Sequence, residues 1–260
     1  MQTFRQARQK VNSVMRISCA IRISQKGFIL LGIMLCCCSC LYSRLLSFKE
    51  QLASFDKYVV ITNGGCALEF LIPVVDAGDL SKLTGSAPTR IDLLASGQQM
   101  HTYRYRNISS IAVTGSPQVL SFTLLFTSNK LCAFEYPKVV AEVLGSNLVM
   151  AAAKAIGNSR LIQWEHKLEW SLGTNQTSTI IPSLATVTRV FGPAQEQGTN
   201  NILTGLHANY QYLLEGTNGN MIADTAMTAN FDFDPKTSLL RHGIMKVGKL
   251  KLVVDFPVSH

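Results

Sequence analysis

The chain has 260 residues, of which 47% are hydrophobic and 15% charged, so a wholly disordered protein is excluded. The formal net charge is +8, but residues 1–40 hold six of the 24 basic residues and no acidic one. Beyond residue 40 the chain has 18 basic and 16 acidic residues. This near-neutral body predicts no nucleic-acid partner, because nucleic-acid binding relies on a basic surface.

The N-terminal segment has the order of a secretory signal, in which a basic region precedes an apolar run and a small-residue exit. The apolar run starts at Gly27, is shorter than the roughly twenty residues of a spanning helix, and leads into a cysteine cluster that ends at Cys40. This pattern resembles a bacterial lipoprotein signal. The resemblance implies that Cys40, which follows Ser39, carries the lipid; Cys38 is the competing position.

Two alternatives to a lipoprotein signal stay open. The segment could be an uncleaved signal anchor, or, in a eukaryotic-type host, the cysteine cluster could be palmitoylated. Each alternative still tethers the body to a membrane. Residues 1–40 are therefore predicted to be a signal or lipid-anchor segment, followed by a helical linker at residues 41–57.

The body is predicted to contain two copies of one module. Six residue pairs recur at one offset of 107 positions, namely Leu80 and Val187, Leu83 and Val190, Gly85 and Gly192, Tyr103 and Tyr210, Tyr105 and Tyr212, and Phe126 and Phe233. This offset is longer than solenoid periods and suits a duplicated small domain. The predicted boundaries are residues 58–137 for the first module, 138–159 for a connecting helix, and 160–260 for the second module.

Each module is predicted to be a helix packed on an antiparallel β-meander, which makes the fold class α+β. In the second copy, residues 163–170 alternate bulky aromatic or apolar side chains with polar and charged ones, as a half-buried strand does. A helix follows from Pro182 to Gly192, and strands are predicted at 208–215, 224–233, 239–247 and 249–256. Asp234 to Thr237 form the predicted turn between the second and third of these strands.

The Gly-Pro helix end at Gly192, the Tyr-x-Tyr strand and the aromatic hairpin resemble the small BamE/SmpA-type lipoproteins of the outer-membrane barrel-assembly machinery. Tandem modules of this kind are also similar to the β-lactamase-inhibitor-protein-like fold, whose members bind other proteins. The chain differs from the assembly lipoproteins in its length and in having two modules. The resemblance implies a protein-binding role, with outer-membrane assembly or maintenance as an expectation.

Interleaved arginines and tyrosines on one strand are the main binding candidates. The residues are Tyr103, Arg104, Tyr105 and Arg106, together with Tyr210 and Tyr212 at the corresponding places of the second copy. Alternation places the arginines on one strand face and the tyrosines on the other. The competing interpretation is an ordinary solvated sheet face, because two arginines do not make a wide basic stripe.

Other reactive side chains give weaker patterns. Cys66 and Cys132 could form a disulfide in an oxidising compartment or remain two buried free thiols. His166 fits a strand histidine at a core margin better than a ligand or base, and Asp232 and Asp234 fit a solvated turn better than a calcium site, which needs more oxygen ligands. No metal or cofactor site is predicted.

The connecting helix between the modules has a wide apolar face. It could pack as a shared core between the two modules, or dock a partner or a membrane. The sequence also lacks paired carboxylates, a nucleophile elbow and a phosphate-binding loop, so the protein is predicted not to be an enzyme.

The sequence therefore predicts an envelope lipoprotein that binds another envelope protein. It would face the periplasm, with the outer membrane favoured over the inner. The alternative is an inhibitor or lipid-carrier module that captures an enzyme or a lipid.

Lipid attachment at Cys40 can be tested by labelling cells with a radioactive fatty acid. The wild type and the matched control Cys38→Ser should carry the label, whereas Cys40→Ser should lose it, because the modified thiol is then absent. The opposite result would move the attachment site to Cys38. If all three proteins keep residues 1–26, whether or not they carry the label, the segment is an uncleaved anchor instead.

Overall fold

A computed structural model describes residues 41–107, 118–162, 167–171, 181–200, 205–248 and 250–256. Within the described chain, residues from Leu46 onward form one compact unit, and residues 41–45, which lie outside it, are helical. The larger unit combines helices with mainly antiparallel strands. It therefore has the predicted α+β class.

The helices of the larger unit lie close to the predicted positions. They are α1 (residues 41–53, of which 46–53 belong to this unit), α2 (Phe55–Tyr58), α3 (Ala77–Thr84), α4 (Lys138–Asn158) and α5 (Leu184–Phe191), with a 3-10 turn at Asn63–Gly65. The connecting helix α4 is interrupted at Gly145, whose φ of 72° and ψ of 158° lie outside the helical region. Glycine tolerates this conformation without a steric penalty, so α4 consists of two helical segments.

The described strands form one sheet of thirteen. In chain order they are β1 (Val59–Thr62), β2 (Ala67–Phe70), β3 (Arg90–Leu93), β4 (Gln99–Asn107), β5 (Val119–Thr127), β6 (Lys130–Glu135), β7 (Arg160–Ile162), β8 (Lys167–Ser171), β9 (Glu196–Asn200), β10 (Gly205–Glu215), β11 (Met221–Phe233), β12 (Leu240–Val247) and β13 (Leu250–Asp255). Their spatial order is β1-β2-β6-β5-β4-β10-β11-β12-β13-β8-β7, with β3 paired to β4 and β9 to β10.

The two halves of the sheet follow the same succession of elements. Strands β1 and β2 precede α3 and strands β3 to β6, and strands β7 and β8 precede α5 and strands β9 to β12. The second half adds β13, which pairs antiparallel with β12 and parallel with β8. This parallel pair departs from the predicted all-antiparallel meander and is allowed because a long connection separates β8 from β13.

The helices α3 and α5 begin and end alike. Asp76 forms a capping box at the start of α3, and the Ser183 side chain accepts the N–H of Thr186 at 3.2 Å at the start of α5. Both helices end at glycines with positive φ, 67° at Gly85 and 76° at Gly192. The two helix starts are 107 positions apart in sequence, and so are the two helix ends. The residues at these positions follow ordinary capping preferences.

The two halves of the sheet join where β4 pairs with β10. Three residue pairs make the junction, Tyr105 with Leu214, Arg106 with Leu213, and Asn107 with Tyr212. The register is symmetric about the Arg106–Leu213 pair, because the 107-position offset converts each outer pair into the other. The two halves therefore meet edge to edge in a nearly two-fold manner.

One buried apolar cluster includes residues from both halves. The Phe191 ring of α5 lies 5.3 Å from the Tyr210 ring and 5.2 Å from the Phe231 ring, measured between centroids. Helix α4 contacts α2 and the 3-10 turn of the first half as well as α5 and β8 of the second, and its Leu148 is buried. Part of the apolar face of α4 thus belongs to a shared core.

A buried asparagine at the end of β4 ties the first half to the second. Asn107 is 0% exposed, and its Nδ2 donates to the carbonyl oxygens of Phe191 at 3.0 Å and Pro193 at 3.1 Å. These carbonyls lie at the end of α5, where a helix has no internal donors left for its last oxygens. A first-half residue thereby completes a second-half helix.

Replacing Asn107 with Leu should lower the free energy of unfolding by about 1–3 kcal/mol, because the Pro193 carbonyl loses this donor and the Phe191 carbonyl keeps only the Tyr212 hydroxyl. The matched control is Asn209→Leu, which removes an exposed hydrogen bond of 3.3 Å to Glu196 and should cost about 0.5 kcal/mol or less. Urea unfolding followed by circular dichroism measures both. Equal costs would show that the α5 cap does not depend on Asn107.

Candidate functional site

The four tyrosines predicted to bind a partner are core residues. Tyr103, Tyr105, Tyr210 and Tyr212 are 6%, 4%, 2% and 0% exposed. The Tyr212 hydroxyl donates to the Phe191 carbonyl, and burial raises the pKa of Tyr105 to about 12 and raises the pKa of Tyr212. The prediction of a tyrosine binding surface is therefore wrong, because the Tyr-x-Tyr face of each strand is the face that the helices cover.

The two arginines lie on the opposite strand face, as alternation predicts, but they are not free. Arg104 Nη1 lies 3.5 Å from Glu215 Oε1, and Arg106 Nη2 lies 3.1 Å from Glu215 Oε2. The Glu215 side chain is 10% exposed, whereas those of Arg104 and Arg106 are 44% and 32% exposed. One nearly buried carboxylate at the end of β10 thus holds both arginines across the junction of the halves.

Nothing in the sequence near Glu215 predicts its contact with the two arginines. It stands 109 positions beyond Arg106, and only the antiparallel pairing of β4 with β10 brings the two side chains to one place. The like spacing of the two copies would have suggested a junction between equivalent strands, but it does not specify the register.

An open groove of about 390 Å³ lies beside this ion-pair cluster. Its lining comes from β3, β4 and the turn between β10 and β11, and consists of Thr89, Arg90, Asp92, Met100, Thr102, Arg104, Glu215, Gly216, Thr217 and Gly219. Thr89 positions the wall, because its hydroxyl donates to the Glu215 carbonyl at 2.5 Å and accepts the Arg104 N–H at 3.1 Å. The two halves of the chain therefore build the groove together.

The groove lining is mostly polar and carries both signs of charge. Arg90 and Asp92 form an ion pair of 2.7 Å on one wall, and the Arg90 side chain is 72% exposed. The lining offers hydroxyls and both signs of charge, but it contains no His, Cys or Lys. It can therefore exchange hydrogen bonds and ion pairs with a polar ligand.

Cys66 and Cys132 are free thiols and not the disulfide that was one of the two predicted states. The register of β2 with β6 aligns Ala67 with Glu135 and Glu69 with Ala133, so the cysteines lie at opposite ends of the strand pair. Four residues of strand correspond to about 13 Å, well beyond the Cα separation that a disulfide spans. Both thiols are half-buried.

The remaining sequence candidates divide between the described and undescribed residues. Cys40 and His166 lie outside the described residues. Asp234 sits in the predicted turn, where the backbone N–H groups of Thr237 and Lys236 donate to its carboxylate at 2.9 Å and hold its pKa below the usual range. Asp232 is exposed on β11.

The described residues contain no group of three or more His, Cys, Asp and Glu side chains that could hold a metal ion. None of the helices in this part of the chain has the length and apolarity needed to cross a bilayer.

Comparison with known proteins gives no relative for this chain. No family model matches it, and neither a curated protein nor a solved structure is significantly similar.

The ion-pair cluster predicts a large asymmetry between two charge reversals. Glu215→Arg would place three guanidinium groups together at a site of low exposure and should lower the free energy of unfolding by about 3–5 kcal/mol. Glu69→Arg, a reversal on an exposed position of β2, should change it by about 0.5 kcal/mol or less. Chemical denaturation of both variants measures the difference, and similar small losses would mean that the cluster does not stabilise the junction.

Proposed function

We propose that this chain is a non-catalytic, membrane-anchored envelope lipoprotein that binds another envelope protein. The observation that carries the proposal is the open groove between β3, β4 and the β10–β11 turn. The groove is open, and its mixed charges and hydroxyls suit polar recognition. A catalytic site would instead be expected to enclose its substrate around a few reactive groups.

The body is proposed to be a duplicated module. Support comes from the shared succession of elements, from the 107-position spacing of the helix ends, and from the near symmetry of the β4–β10 register. Duplication would explain why the groove exists, since it forms only where one half meets the other. The proposed protein is then one binding body with a composite surface, and not two independent binding domains.

The leader and the resemblance to assembly lipoproteins support the proposed location and role. A lipid on Cys40 would hold the body at the periplasmic face of a membrane, with the outer membrane favoured over the inner. The groove would then meet other proteins of the same compartment, in a role such as outer-membrane assembly or maintenance. No cofactor or metal is part of this proposal.

Photo-crosslinking in the native cells tests the proposed binding role. A photoreactive amino acid at Thr217, on the groove rim, should yield a crosslink that mass spectrometry assigns to one envelope protein. The same probe at Lys138, whose side chain is 81% exposed and does not line the groove, is the position control. It should not capture that protein.

A groove-filling variant makes the test specific. Thr102→Trp places a large ring in the groove and should reduce the Thr217 crosslink at least tenfold, on the order of 1.4 kcal/mol or more of binding free energy. Asn230→Trp puts the same ring on an exposed position of β11 and should leave the crosslink unchanged. Equal effects of the two variants, or no captured protein at all, would refute the proposed function.

A further inference from the structure

Strand β3 offers an open edge. Within the described part of the chain it pairs only with β4, through Arg90 to Leu93. The Leu94 N–H donates to the Gln98 carbonyl at 2.8 Å, so the alternation of an antiparallel ladder directs the backbone groups of Asp92 and Arg90 toward β4. The N–H and C=O groups of Ile91 and Leu93 consequently point to the open side.

The same strand exposes two large apolar side chains. Ile91 is 58% exposed and Leu93 is 75% exposed, and both lie on one face of the strand, across from the ladder residues His101 and Gln99. An edge with unpaired backbone groups and exposed apolar side chains is the usual acceptor for an added strand. The question is which strand fits this edge.

The charged residues of β3 are placed so that they complement those of β3 in a second copy of the chain. In an antiparallel pair centred on Ile91, each Ile91 lies opposite the other, and each Arg90 lies opposite Asp92 of the second copy. Two cross-strand ion pairs then form on one face while the isoleucines meet on the other. The order Arg-Ile-Asp has this property only for antiparallel pairing, because a parallel in-register pair would place like charges side by side.

We propose that β3 is a self-association site, through which two copies of this chain pair antiparallel about Ile91. The chain already uses the same geometry internally. Its halves join by the antiparallel pairing of β4 with β10, centred on the Arg106–Leu213 pair, with arginines of one strand bound to the Glu215 carboxylate at the end of the other. The intermolecular pair would extend the sheet from one copy into the next.

The contact is small and is expected to be weak in dilute solution. Four residues from each copy bury much less than the area of a stable interface. Confinement on a membrane raises the effective concentration and would make such a contact effective. The pairing does not require the partner protein proposed above, so loss of one does not imply loss of the other.

The test uses the full chain reconstituted in lipid vesicles, with a photoreactive amino acid at Leu93. In the centred pair this position lies opposite Thr89 of the second copy, so illumination should yield a crosslinked homodimer. Arg90→Asp and Asp92→Arg should each reduce the dimer yield at least tenfold, because each variant sets like charges against one another across the pair.

Two rescue measurements identify the occupant of the edge. The double variant Arg90→Asp with Asp92→Arg should restore the homodimer, since each opposed pair is again oppositely charged. An equimolar mixture of the two single variants, carrying tags of different size, should form only the heterodimer. Melting temperatures within a few degrees of the wild type would show that the variants are folded.

Each other outcome overturns the proposal. If the single reversals leave the dimer yield unchanged, the chains associate through another surface. If the wild type forms no dimer in vesicles, the proposed self-association is refuted directly. A double variant as weak as the single variants would show that the reversals do not act through opposed charges across the pair, and would refute antiparallel pairing about Ile91.

Discussion

The pairing of β4 with β10 is the constraint on which the larger unit depends. Three residue pairs connect the two halves of the sheet and carry Asn107 to the end of α5, where its amide donates to two carbonyls. Gln118, also from the first half, reaches the Val190 carbonyl of the same helix at 3.4 Å. Helix ends must find donors outside the helix, and here α5 finds them across the junction. The two halves are therefore coupled through hydrogen bonding as well as through apolar burial.

The junction also creates the surface to which we assign function. The end of β10 brings one carboxylate between two arginines, and the following turn closes one side of the groove. Partial burial strengthens these ion pairs relative to exposed ones, because fewer waters compete for the charges. A rigid, composite wall of this kind can present hydroxyls and charges in fixed positions to a partner. Arg104 and Arg106 share the single carboxylate of Glu215, so this cluster keeps a net positive charge beside the groove.

The exposed edge of β3 is the second surface feature of this unit. Strand β3 lies off the main path of the sheet and forms an edge beside the groove, with exposed apolar side chains and self-complementary charges. Edge strands are usually protected by charge or by brevity, and β3 has both an ion pair and only four residues. That ion pair limits indiscriminate pairing, and its order along the strand favours one antiparallel partner. The internal junction and the proposed external one therefore follow one physical rule.

The sequence alone determined the features that depend on neighbouring residues. Alternation placed the tyrosines and arginines of β4 on opposite faces, capping residues located the ends of α5, and the Asp234 turn was correctly predicted. Only the tertiary structure decided which face is the core, that β13 runs parallel to β8, that Cys66 and Cys132 lie far apart, and that Glu215 binds both arginines. The physical reason is that strand faces and helix caps are set within a few residues, whereas register and edge pairing join segments about a hundred residues apart. Such long-range choices depend on which burial is best for the whole chain, and no local pattern encodes them.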